Sequence, residues 1–111
     1  MEFKGPFGKP FQSYTAGTNS GATASVTAVT GQKHYVTDVT FWSDTDSIIS
    51  ILGGAAGGTV IWEGSLDVDV GGLSKTVNFT TPLVGASGIK VEAKVTSSSS
   101  DCGVTVQGYT A

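Results

Sequence analysis

The sequence predicts an all-β fold: a single β-sandwich or barrel of about eight antiparallel strands. Three observations carry that reading. Short runs rich in Val, Ile, Thr, Phe and Trp, bounded by Gly, Asp and Ser clusters, recur at the spacing of roughly 8–12 residues typical of sandwiches and barrels. The composition also favours strands joined by tight turns: 16 of the 111 residues are Gly and only 14% are charged. Gly, Ser, Thr and Val are weak helix formers, and no run has the length or period of a helix. A chain of 111 residues is one domain, large enough to bury a real core.

The central stretch, residues 33–63, reads KHYVTDVTFWSDTDSIISILGGAAGGTVIWE. It holds three apolar runs, at 34–42, 48–52 and 59–62. A Ser-Asp-Thr-Asp turn separates the first two, and a Gly/Ala loop at 53–58 separates the last two. These predict a strand–turn–strand–loop–strand unit. Within the first run, Tyr35, Val39 and Phe41 share one parity and are assigned to the core. Trp42 falls on the other parity and is assigned to the outer face or a rim. The run at 48–52 shows no polar alternation and reads as buried on both faces. In the third run Val60 and Trp62 are assigned inward.

Residues 1–20 differ from the rest. Phe3, Phe7 and Phe11 recur every four residues, but Gly5, Pro6, Gly8 and Pro10 forbid a helix. Three Phe and Tyr14 are of little use to a tail that stays in water. The expectation is an extended arm over 1–20 that lies on a neighbouring protein or on its own domain, followed by the sandwich at 21–111. Residues 22–29 (ATASVTAV) predict a strand at a sheet edge. Residues 65–70 (SLDVDV) predict a strand with Leu66, Val68 and Val70 inward. Residues 73–80 predict another, with Val77 and Phe79 inward and Pro82 closing it. The clearest alternation lies at 89–96, where Ile89, Val91, Ala93 and Val95 face the core. The last strand places Cys102, Val104 and Val106 inward and Thr105, Gln107 and Tyr109 outward.

The chemistry-bearing residues are few. The net charge is −3, with six Lys and no Arg, which argues against a nucleic-acid partner. No segment approaches the roughly 20 apolar residues of a membrane helix, and the first ten residues lack the apolar core of a secretory signal. A single cysteine, Cys102, has no internal disulfide partner, which fits folding in a reducing cytoplasm. It reads as a small core hydrophobe. The one histidine, His34, lacks an orienting partner in the sequence and reads as a surface or capping residue. Asp44/Asp46 and Asp67/Asp69 form two D-x-D pairs, but neither completes a calcium loop, and turn Asp side chains usually bond their own backbone. The glycine run at 53–58 lacks the GK[ST] ending of a phosphate loop and opens no helix. No catalytic residue, metal site or cofactor is expected. Trp42 reads either as a plate for a sugar ring or as an anchor at a protein interface.

The order HYVTDVTFWS, TVIWEG, NFTTPLVGASG, IKVEAKVTSSSSDCGVTVQGY resembles small structural proteins of tailed bacteriophages. The segment TPLVGASG before an alternating strand, and the closing V-x-V-x-G-Y, carry most of the likeness, which covers roughly residues 33–109. In size and character the chain is most similar to the capsid decoration, or cement, proteins of short-tailed phages. The resemblance implies a jelly-roll-like sandwich, made in the host cytoplasm and carried on the outside of an icosahedral head. There it would bridge major capsid subunits as a dimer or trimer. No functional residue carries over from that family. On the residues themselves, Phe3, Phe7, Phe11, Tyr14 and Trp42 are the candidate partner-binding side chains, since buried aromatics dominate interface energetics. The competing expectation is a receptor-binding fibre module or a carbohydrate-binding module.

Overall fold

A computed structural model describes residues 8–18, 21–54, 59–66, 73–96 and 101–111. Eight strands follow in order: β1 Lys9–Gly17, β2 Ala22–Val26, β3 His34–Ser43, β4 Ser47–Leu52, β5 Val60–Leu66, β6 Leu73–Val84, β7 Val91–Thr96 and β8 Cys102–Thr110. They form two four-stranded antiparallel sheets, ordered β1-β8-β3-β6 and β2-β7-β4-β5. The winding is that of a jelly roll. The chain pairs as one long nested hairpin, β1 with β8, β2 with β7, β3 with β6 and β4 with β5. Rolling that ribbon brings β8 against β3 and β7 against β4.

The core lies between the sheets. Val36, Val39, Phe41, Val104, Val106 and Cys102 come from one sheet, and Ile49, Ile51, Leu66, Val91, Ala93 and Val95 from the other. Strands β7 and β8 alternate as the sequence predicts, because each carries one unbroken apolar parity. Phe41 is the bulkiest fully buried side chain, and its burial contributes about 1.5–3 kcal/mol. At one end of the sandwich Gly85 N–H donates to the His34 carbonyl and Ala86 N–H to the Gly53 carbonyl, both at 2.8 Å, tying the two layers together.

Several expectations need correction. Residues 9–17 of the expected arm are extended and lie on the chain's own domain, one of the two places expected for them, but as a full strand of the sheet. They form β1, paired along β8 from Lys9↔Thr110 to Gly17↔Cys102, so the sheet begins at Lys9 and not after residue 20. Residues 1–7, with Phe3 and Phe7, lie outside the described residues.

Tyr35 is not a core residue. Thr37 is an extra residue on β3, opposite no partner on β8, since Val36 pairs with Gly108 and Asp38 with Gln107. This bulge reverses the parity of the strand. His34 and Val36 point inward before it, Val39, Phe41 and Ser43 after it, and Tyr35 turns outward. A second irregularity, between Ile51 and Leu52, sets Trp62 opposite Ile51 and Val60 opposite Leu52. Val60 is therefore exposed, while Ile61 and Trp62 pack on the core and Trp62 meets Phe79 edge-on, with ring centroids 5.3 Å apart.

Strand β4 alternates where burial on both faces was expected, and Ile48 is exposed. The two strands predicted at 59–63 and 65–70 are one strand, β5, through Leu66; residues 67–70 lie outside the described ones. Pro82 does not end β6, which runs on to Val84. That strand is a sheet edge, where a missing N–H leaves no ladder bond unmade. Strand β2 is an edge, as expected, but stops at Val26, and Ile89 precedes β7.

Candidate binding surfaces

The fold separates the predicted aromatics. Phe11 points inward and packs on the core, with its ring edge-on to His34 at 5.6 Å. Tyr14 and Trp42 share the outward face of the β1-β8-β3-β6 sheet; Tyr14 is exposed and Trp42 half-buried.

That face is an ordered grid of four rows running β1-β8-β3-β6: Pro10, Tyr109, Tyr35, Val84; then Gln12, Gln107, Asp38, Asn78; then Tyr14, Thr105, Thr40, Thr76; then Ala16, Gly103, Trp42, Ser74. Tyr35 and Tyr109 stack with centroids 4.8 Å apart and planes 10° from parallel. Asn78 Nδ2 donates to Asp38 Oδ1, and Thr37 Oγ1 donates to Asp38 Oδ2 at 2.9 Å. Thr40 and Thr76 hydroxyls meet at 3.0 Å. Trp42 owes its pose to the glycine beside it. A Cβ on Gly103 would run into Nε1 and Cε2 of the indole, so the ring lies over β8. Gly108 is constrained in another way: a Cβ there would strike the Tyr35 carbonyl, which the bulge pushes across β8. Among the sixteen positions of the grid, Asp38 alone carries a charge.

A pocket of about 660 Å³ opens where β1 begins and β8 ends. Pro10, Phe11, Val26 and Val29 give it apolar walls, and Lys9, Gln32, Thr27 and Thr110 line it as well. His34, also in the lining, is not the surface residue expected: it is buried. A carbonyl oxygen only accepts, so Nε2–H donates to Thr27 O at 2.8 Å, and Nδ1 accepts the Thr110 hydroxyl at 2.7 Å. Both nitrogens are thus committed to holding β3 against β8 and the segment after β2, which leaves neither to move a substrate proton. The bulge hides this role from sequence reasoning, because His34 shares the inward parity of Val36 only upstream of Thr37.

Among the described residues no three His, Cys, Asp or Glu side chains gather as a metal site. Asp44 and Asp46 lie in an exposed turn, and Asp67 and Asp69 fall outside the described residues. Cys102 is buried as expected. Burial pushes its thiol above the usual range, the Asp101 and Asp44 carboxylates add to the rise, and backbone hydrogen bonds at Gly17 and Ala22 oppose it. No described helix is long and apolar enough to cross a membrane.

The four sheet edges are not equivalent. Strand β2 has only five residues. Strand β5 carries a register break and the charge of Glu63. Strand β6 carries Pro82 and, opposite Phe41 on the inward parity, Lys75. Charges, prolines, bulges and shortness are the devices that stop an edge from pairing with another chain. Strand β1 has nine residues, an unbroken register with β8, and no charge or proline from Phe11 to Gly17.

Compared with protein-family models, with curated proteins and with solved structures, the chain matches none.

Proposed function

We propose that the chain is a structural, non-catalytic virion protein that attaches to the outer surface of an icosahedral phage head and bridges major capsid subunits. The observation that carries this reading is the β1 edge, a nine-residue strand with no charge or proline from Phe11 to Gly17. An extended edge with free peptide groups is completed by another extended segment, and main-chain hydrogen bonds supply the affinity. A capsid subunit or a sister copy of this chain adds a strand there. Phe3 and Phe7 precede β1 in the sequence and would add aromatic anchors to the attachment. Repetition over a symmetric shell turns a modest contact into firm attachment. The jelly-roll winding suits the reading, although on fold alone it would be analogy. The alternative of a carbohydrate-binding module is favoured by a separate observation, the flat indole of Trp42 on the outward face.

Co-sedimentation with expanded phage heads is the test. The wild-type protein is expected to pellet with heads and to stay in the supernatant without them. Ser13→Lys puts on β1 the same inward charge that Lys75 puts on β6. It is expected to weaken attachment at least tenfold while circular dichroism still reports a folded sandwich. Deleting residues 1–7 leaves β1 whole and isolates the contribution of the leading aromatics. A wild-type protein that never pellets with heads refutes the attachment, and a Ser13→Lys variant that pellets as well as wild type refutes the edge.

A further inference from the structure

We infer that the outward face of the β1-β8-β3-β6 sheet is a docking platform for a neutral polysaccharide, with the Trp42 indole as the plate on which a sugar ring stacks. The inference goes beyond head attachment and does not rest on it, because attachment uses the β1 edge and leaves this face open. Gly103 makes room for the ring. With no Cβ there, the half-buried indole lies over β8, its Nε1–Cε2 edge filling the space that a side chain at 103 would take. Its described neighbours in the row, Ala16 and Ser74, are small. Tyr14, 57% exposed, stands one row away on β1.

The occupant follows from what the face offers. Asp38 is the single charge among the sixteen described positions of the grid, and that carboxylate already accepts from Thr37 and Asn78. A phosphate, a basic peptide or an acidic one therefore finds no complementary charge. The rows beside the indole carry hydroxyl and amide groups, which donate and accept equally well. A ligand that matches is uncharged, flat and apolar on one side, and dense in hydroxyl groups at its rim. A pyranose ring has that character: its C–H face packs on an aromatic plane and its equatorial hydroxyls reach the flanking side chains.

Affinity electrophoresis tests this with the full chain, in native gels cast with xylan, mannan, a β-1,3-glucan or an α-1,4-glucan. At least one gel is expected to retard the wild-type protein. Trp42→Ala should lose at least tenfold of that retardation, Trp42→Phe should keep part of it, and Lys94→Gln, on the opposite outer face, should keep all of it. Circular dichroism on each variant separates lost binding from lost folding. Unchanged wild-type migration in all four gels overturns the inference, and so does equal retardation of folded Trp42→Ala. Wild-type protein that pellets with phage heads and passes all four gels unretarded leaves the attachment standing and removes the platform.

Discussion

The two sheets are alike on the inside and unlike on the outside. Inward, both present aliphatic rows that interlock: Val36, Val39, Phe41, Val104 and Val106 against Ile49, Ile51, Val91, Ala93 and Val95. Outward, the β2-β7-β4-β5 sheet carries Glu63, Glu92 and Lys94 among serines and threonines, with Ile48 and Val60 also exposed. Lys90 pairs with Glu92 at 3.5 Å, and Ser25 and Ser50 hydroxyls donate to Glu92 and Glu63 at 3.2 and 3.4 Å. That is a solvated surface whose ion pair contributes little. The outward face of the other sheet has a lone charge, four aromatic side chains and an amide ladder. Fold is decided by the inner rows, which leaves the outer rows at liberty to differ. The face depleted of charge and enriched in aromatics is the one with the composition of a binding surface.

The comparison breaks most readily from within. Phe41→Ala and Ile51→Ala each empty a fully buried site, one per sheet. They are expected to cost about 3–5 and 2–5 kcal/mol respectively in urea unfolding. A loss below about 1 kcal/mol from either would mean that its sheet is not half of the core. Gly103→Ala acts on the outer face alone. The added methyl meets the indole and is expected to cost about 1–3 kcal/mol and to shift tryptophan emission. Unchanged emission would show that the ring does not lie over β8. Lys94→Gln probes the solvated face and should stay within about 0.5 kcal/mol of wild type. A larger loss would mean that this face, too, is built for contact.

Much of this was legible in the residues. The strand class, the count of eight, the β2 edge and the inward rows of β7 and β8 follow from alternation and turn chemistry. The count agrees through two offsetting differences: β1 was read as an arm, and β5 as two strands. What resisted reading on β3 has one physical cause, the bulge. A single inserted residue at Thr37 flips Tyr35 outward and His34 inward, and nothing in a period-2 pattern announces it. The irregularity near Leu52 misleads in the same way at Val60. The outward aromatic face was half visible: parity put Trp42 outside, but its meeting with Tyr14 needed β1 to join the sheet, and its pose needed Gly103.

The nested pairing of Lys9 with Thr110 has a consequence for how the molecule is made. On the ribosome β1 emerges before the other seven strands, and its mate β8 after them all, so β1 waits for its pairing partner while the rest of the sandwich is made. Folding dominated by such distant pairings is slow and open to wrong partners in the interval. The same closure sets Lys9 beside Thr110, so the first strand of the sandwich starts where the last one stops.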